Sequence, residues 1–215
     1  MLGQSITRNS ILLALFAVVT TLLIAGTYLQ TRDRIAVEER KAEEKALLQI
    51  VPRERHDNSM LDDTVAVGAG TAGLGLDQDK RVYVARQGPK AVAVIVPVTA
   101  PDGYSGAIDM IVGVNADGTI AGVRVLRHKE TPGLGDKVDL NKSDWILGFN
   151  GRSLTNPALT GWTVKKDKGE FDQFTGATIT PRAVVAATAR ALQYAQTEHD
   201  TLFAPLSQDT VAGEP

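Results

Sequence analysis

The sequence predicts an α+β chain: a single N-terminal transmembrane helix followed by a mostly antiparallel sheet with packed helices. Three observations predict it. One long uncharged apolar run lies near the N-terminus, Val- and Ile-rich runs then alternate with Gly, Pro and Asp, and a strongly periodic helical pattern lies near the C-terminus. At 215 residues the chain has room for one domain with a core plus an anchor. A formal net charge of -2 supplies no basic field for nucleic acid. The absence of cysteine removes iron–sulfur clusters, c-type haem attachment and disulfides together. His56, His128 and His199 stand far apart, without the spacing of a metal site. Redox chemistry in this chain therefore requires an organic cofactor.

No side chain between Arg8 and Arg32 is charged, and Ile11 to Leu29 is almost wholly apolar. About 20 residues at ~1.5 Å each cross a ~30 Å hydrocarbon core. A cleaved signal sequence is the alternative, but its apolar region is usually ~7–15 residues long. This run is longer, and Tyr28-Leu29-Gln30 suits a cleavage site poorly. Only Arg8 precedes the run, whereas Arg32, Arg34, Arg40 and Lys41 follow it. A bare positive-inside count places the C-terminal domain in the cytoplasm. From Thr31 to Val51 the chain is charged, Ala-rich and free of Gly and Pro. Glu38 with Lys41 and Arg40 with Glu44 suit a helical face, which predicts a stalk stopped by Pro52.

From about Val65 short β-like runs begin. Arg81 to Ala85, Lys90 to Val98, Gly106 to Val114 and Thr119 to Leu126 read as strands, with Pro97 marking an edge or an end. Asn115-Ala116-Asp117-Gly118 is a hairpin turn signal. Trp162 to Lys165 reads as a further short strand. Asp136 to Phe149 contains a helix or two, with Ser143 as N-cap. The last helix runs from Pro181 to about Thr197, and Asp200 to Pro215 reads as a mobile tail. The expected organisation is an anchor over 1–31, a stalk over 32–52, a domain over 53–199 and a tail over 200–215. Gly68-Ala-Gly70-Thr-Ala-Gly73 matches GxGxxG, the dinucleotide fingerprint, but no helix opens within it and no acid follows near residue 93. It reads as a flexible loop.

The chemistry is concentrated in Asp172-Gln-Phe-Thr175-Gly176-Ala177-Thr178-Ile-Thr180-Pro181-Arg182. Thr180-Pro181 is a helix start, with threonine as N-cap and proline at the first helical position. Val184, Val185, Thr188, Leu192 and Ala195 then form a core-facing stripe. Gly176 and Ala177 leave the backbone nearly bare. Unpaired N–H groups and the dipole at a helix start favour a phosphate, which Arg182 is close enough in sequence to assist. A plain capped helix after a glycine turn explains the same residues.

The run Thr175 to Thr180, TGATIT with Asp172 ahead of it, resembles the flavinylation signature Ser/Thr-Gly-Ala-Thr-x-Ser/Thr of FMN-binding domains. A second stretch, Glu130-Thr131-Pro132-Gly133-Leu134-Gly135 followed by Asp136 and Lys137, resembles the ETPGLG loop of the same domains. Over nearly its full length the chain is similar to G subunits of Rnf (Rsx) ion-translocating electron transport complexes. It is similar, more distantly, to the C subunit of the sodium-pumping NADH:quinone reductase. Asp144 to Leu154 favours the former. The resemblance implies an FMN joined through its phosphate to Thr180, with Thr175, Gly176, Ala177 and Thr178 around it. It also implies Glu130, Thr131, Leu134, Gly135 and Lys137 against the flavin, and Asp172 shaping the loop or assisting attachment. No catalytic residue acting on a substrate and no metal site are expected.

The implied setting is an inner-membrane, single-pass subunit with a periplasmic domain, against the charge count. Its implied partners are the membrane, the other membrane and iron–sulfur or flavin subunits, and a flavin transferase that splits FAD. The complex couples electron transfer to ion movement. A C-type quinone-reductase subunit, a stand-alone flavin carrier and a cofactor-free membrane scaffold are the alternative readings.

Overall fold

The computed structural model describes residues 2–206, so residues 207–215 of the tail expected over 200–215 lie outside the described residues. The chain divides into two units, 1–45 and 46–215. In the first unit, helix α1 (Leu2–Leu48) carries the apolar run and the charged stretch in one element. It is long and apolar enough to cross a membrane. Within the apolar run, large side chains such as Phe16 and Ile24 stand exposed. Thr20 and Thr27 donate to the carbonyls of Phe16 and Leu23, each at 2.9 Å, so both hydroxyls are satisfied along the helix itself. Lys41 pairs with Glu38 at 2.8 Å on an exposed face, as the spacing predicts.

The second unit is built on a five-stranded antiparallel meander in the order β1-β2-β3-β4-β5. The strands are β1 (Thr64–Val67), β2 (Lys80–Gln87), β3 (Lys90–Ala100), β4 (Ile108–Asn115) and β5 (Ile120–Arg127). Side chains alternate across a strand, and both faces of this sheet are covered. Val94, Val96 and Val98 of β3 and Met110, Val112 and Val114 of β4 enter the larger core with helix α2 (Ile179–Thr197). Ala93, Ile95 and Ile111 point into a smaller core with Leu47, Ile50, Val51 and Met60. Double burial is why Lys90 to Val98 reads as a nearly continuous apolar run. Gly113 and Gly122 stand opposite each other on β4 and β5. A Cβ at Gly113 would collide with Ile50 Cγ2, so the glycine leaves the hollow that Ile50 fills. Arg124 donates to the carbonyl of Gln49 at 3.1 Å and to its side chain, closing the segment after α1 onto the sheet. Leu47, Ile50 and Val51 thus pack in this unit, whereas the sequence reading assigns them to the stalk.

Several expectations change. Pro97 sits in the central strand; its partner is Ile111 on β4, and the β2 pairs of β3 end at Ile95, so its missing N–H interrupts no registered β2 pair. Trp162 to Lys165 is not a strand. Flanked by 3-10 turns at Leu159–Gly161 and Lys165–Asp167, it makes only one bridge, Val164 to Phe171. The region from Asp136 holds two 3-10 helices, Gly135–Val138 and Asp144–Phe149, and Ser143 caps the second by accepting from Trp145 N–H at 3.2 Å. The start of the expected mobile tail is packed. Helix α3 (His199–Leu202) buries Leu202, Arg86 donates to Ala204 O at 2.7 Å, and Leu206 N–H reaches Pro89 O. No helix opens in the Gly68 to Gly73 segment, but hydrogen bonds hold it. Ala69 N–H donates to Asp79 at 2.8 Å and Arg190 to Gly73 O at 2.7 Å.

Candidate functional site

A cleft of about 340 Å³ opens where the two motif loops meet, lined by Tyr104, Glu130, Thr131, Leu134, Gly135, Gly176, Ala177, Thr178, Ile179 and Thr180. Loop Glu130–Gly135 leaves the end of β5 and doubles back because the Thr131 carbonyl accepts from Leu134 N–H at 3.1 Å and Asp136 N–H at 3.4 Å. Gly133, at φ +77°, supplies the left-handed residue this turn requires. Loop Thr175–Thr178 turns at Gly176, whose φ is +81°, and a Cβ there would lie 3.7 Å from Leu134 Cδ2. The two loops therefore face each other here, with room at Gly176 for no more than a methyl group before Leu134 is met.

An aromatic cluster holds the second loop from behind. Trp145 packs edge-on against Phe174 at 5.1 Å, and Phe149 stacks on Phe171 at 4.7 Å. Trp145 Nε1–H donates to the Asp172 carbonyl at 2.8 Å. The backbone leading into the cleft is thus fixed by core residues that carry no chemistry themselves.

Thr180 does not cap the helix. Helix α2 begins at Ile179, Thr178 occupies the cap position without a side-chain cap bond, and Thr180 lies inside the first turn. Its hydroxyl is turned to the other loop, where it donates to Glu130 Oε2. Both residues are buried. Glu130 Oε1 accepts from Ser105 N–H at 2.9 Å, and Glu130 N–H donates to His128 Nδ1 at 3.1 Å. A Cβ on Gly135 would stand 2.7 Å from Glu130 Oε2 and 2.8 Å from Thr180 Oγ1, so only glycine leaves these two side chains in contact. The first N–H within the helix to meet a carbonyl at its start is that of Arg182, to Thr178 O. The N–H groups of Ile179 and Thr180 precede it and have no acceptor within the helix.

Of the residues singled out in the sequence, Glu130, Thr131, Leu134, Gly135, Gly176, Ala177, Thr178 and Thr180 converge on the cleft; Thr175, Lys137 and Asp172 lie outside its lining. Asp172 is exposed and pairs with Lys165 at 2.7 Å. Arg182, expected to assist a phosphate, instead pairs through Nη2 with Asp167 at 2.7 Å. This contact lowers the Asp167 carboxyl below its ordinary value and raises the Arg182 guanidinium. Tyr104 and Ile179 are cleft residues that sequence reasoning missed. Tyr104 belongs to the β3–β4 connection and shares no motif with the rest, so only its exposed aromatic ring beside glycines hints at a role. Tyr104, Leu134 and Ile179 all keep substantial apolar surface in solvent at the cleft mouth.

Residues 103–193 match the FMN-binding domain family, and residues 1–50 match the RnfG N-terminal region. The chain is 52% identical over 202 residues to the G subunit of the ion-translocating oxidoreductase complex of Pseudomonas aeruginosa, covering 94% of each chain. It is 48% identical over 212 residues to the protein of the same name from Escherichia coli, covering 98% of this chain and 99% of that one. Its identity to the Pseudoalteromonas atlantica counterpart is 47%, over 93% of each chain. The chain belongs to the family of G subunits of Rnf ion-translocating oxidoreductase complexes.

Proposed function

We propose that this chain carries FMN, joined through its phosphate to Thr180, and relays electrons within an Rnf-type complex that couples electron transfer to ion movement. One observation carries the reading: Thr180, at the start of a helix, is among the residues lining a cleft formed by both motif loops. The residues suit the group. Bare backbone at Gly176 leaves room for a bulky ligand, and the volume, about 340 Å³, falls within the usual range for ligand sites, roughly 300–1,000 Å³. Unpaired N–H groups at the start of α2 favour a phosphate.

When bound, FMN supplies the electron acceptance and donation that no side chain of this chain provides. Thr180 anchors it, the N–H groups at the helix start offset the phosphate charge, and Leu134 with Tyr104 and Ile179 supplies apolar cover at the mouth. Lys137, Thr175 and Asp172 support the site through the loops rather than by lining it. A tether keeps the flavin in place as its charge changes between redox states. The apolar helix α1 supports membrane anchorage.

We assign the domain to the periplasmic side of the inner membrane, where a transferase delivers FMN from FAD. The other membrane and iron–sulfur or flavin subunits are its electron donors and acceptors. The chain is one electron-transfer subunit of a translocase and not a complete enzyme. Purified full-length protein from cells expressing the transferase is expected to show flavin fluorescence that survives denaturing electrophoresis, and Thr180→Ala is expected to show none. A fluorescent Thr180→Ala band contradicts the assignment. A phosphatase fused after Leu48 is expected to be active; an inactive fusion with an active cytoplasmic reporter at the same site contradicts the topology.

A further inference from the structure

The Thr180 hydroxyl, proposed above as the attachment point, donates a hydrogen bond to the Glu130 side chain of the opposite loop. Thr180 Oγ1 donates to Glu130 Oε2, at exposures of 0% and 4% for the two residues. Glu130 has further contacts that hold it in place. Its other oxygen accepts from Ser105 N–H at 2.9 Å, and its N–H is tied to His128 Nδ1. Gly135 lies against both side chains, and a Cβ at Gly103 would stand 3.0 Å from Glu130 Oε1. A threonine hydroxyl is a weak nucleophile until a base within hydrogen-bond reach takes its proton. The glutamate meets that condition in the unmodified chain, fifty positions away in sequence.

We propose that Glu130 is the general base for flavin attachment to its own chain, so that the acceptor protein brings a catalytic residue to its own modification. The inference rests on the covalent reading of the site. Thr180 Oγ1 bonds to the flavin-side phosphorus of FAD. The P–O bond to the adenylate breaks, AMP leaves with that electron pair, and the hydroxyl proton passes to Glu130 Oε2. The proton transfer also solves a problem in the product. An ester oxygen no longer donates to Glu130, and an ionised carboxylate would face the new phosphodiester anion in a buried site. A protonated Glu130 is neutral and donates a hydrogen bond there instead. Gly135, by excluding a Cβ from this contact, keeps base and nucleophile together.

The test is single-turnover attachment to the full-length chain with purified transferase and FAD, read by intact mass and in-gel fluorescence. Glu130→Gln keeps the shape and an acceptor for Ser105 N–H but is no base, and its rate should fall roughly 10²–10⁴-fold with an unchanged melting temperature. Glu130→Ala removes the base and leaves room for a small acid, so added formate should restore its rate in proportion to concentration. A Glu130→Gln rate within about threefold of wild type overturns the proposal, since loss of a general base costs far more. Slow attachment in Glu130→Ala that formate does not raise also overturns it, because the side chain is then structural. Failure of the wild-type chain to take up flavin at all refutes the covalent reading itself, a separate outcome from either.

Discussion

Two contacts at the start of α2 differ in every respect that matters to chemistry. Thr180 and Glu130 are buried, fifty positions apart in sequence, and join the two motif loops across the cleft. Arg182 and Asp167 are partly exposed, only fifteen positions apart, and lie outside the cleft lining. The arginine two residues beyond Thr180 is the natural candidate for a phosphate partner, yet its fork is occupied by an aspartate. Proximity along the chain to Thr180 is a poor guide to its chemical surroundings here. Two positions along a helix, about 200° around its axis, separate a side chain that faces the site from one that faces water.

The largest effect expected from breaking this comparison is at Gly135. Gly135→Ala places a methyl group where Glu130 and Thr180 meet, and flavin incorporation should fall steeply by in-gel fluorescence. The two buried polar groups lose their mutual bond, at a stability cost of about 1–3 kcal/mol. Full incorporation in that variant would show that the buried pair is dispensable.

The next variant separates stability from attachment. Gly113→Ala drives a Cβ into Ile50 on the other face of the sheet, away from the cleft. Overpacking of this kind costs about 1–3 kcal/mol. Denaturant melts of the purified protein should register that loss while the flavin content of the folded fraction stays at wild type. A drop in flavin content would mean that attachment reports general stability rather than the local pair.

A smaller effect concerns acid sensitivity. Burial pushes the Asp109 carboxyl up, but the Thr99 hydroxyl at 2.8 Å, Arg127 at 2.7 Å and the charge of Lys80 outweigh it, and the net value is lowered. A carboxyl lowered by folding contributes stability that is present above the unfolded value, about 3.9, and is lost as pH falls through the folded value. Asp109→Asn should flatten the stability-against-pH curve in that acid window and leave its slope unchanged near neutrality. An unchanged acid limb contradicts the role of these contacts.

The smallest effect is expected at Asp172. The signature places an aspartate there, but its carboxylate faces Lys165 in solvent, and exposed pairs contribute little. The backbone carbonyl, which accepts from Trp145, survives substitution. Asp172→Asn should therefore keep both its melting temperature and full flavin content when attachment is allowed to go to completion. A lower end-point content would assign the carboxylate a direct part in the site.

Much of the fold was legible because it rests on local signals. The four long strands and the helix ending at Thr197 follow from apolar runs, turn residues and helical spacing, and the observed strand bounds move by one to a few residues. Asn115 to Gly118 turns as its composition predicts, with Gly118 at φ +81°. What was not legible depends on long-range contact. Pro97 tolerates a central strand only because the registered β2 pairs stop at Ile95. Trp162 has β-like neighbours but is captured by the aromatic cluster around Phe149 and Phe171. Residues 200–206 have a tail-like composition, yet Arg86 and Pro89 hold them. In the site, the motifs marked both loops, but no local signal tells that Glu130 takes the Thr180 hydroxyl or that Tyr104 joins them. Thr180-Pro181 has the composition of a cap, yet the helix begins two residues earlier than Pro181 and frees the hydroxyl for Glu130.

The central claim is that the buried hydroxyl of Thr180, and no neighbouring one, receives the flavin. Peptide mass mapping of the purified holoprotein tests it most directly. The account predicts one FMN-sized addition, located on Thr180 by fragmentation, with Thr175 and Thr178 unmodified. An addition on Thr175 or Thr178, or an unmodified chain from cells that contain an active flavin transferase, would contradict it.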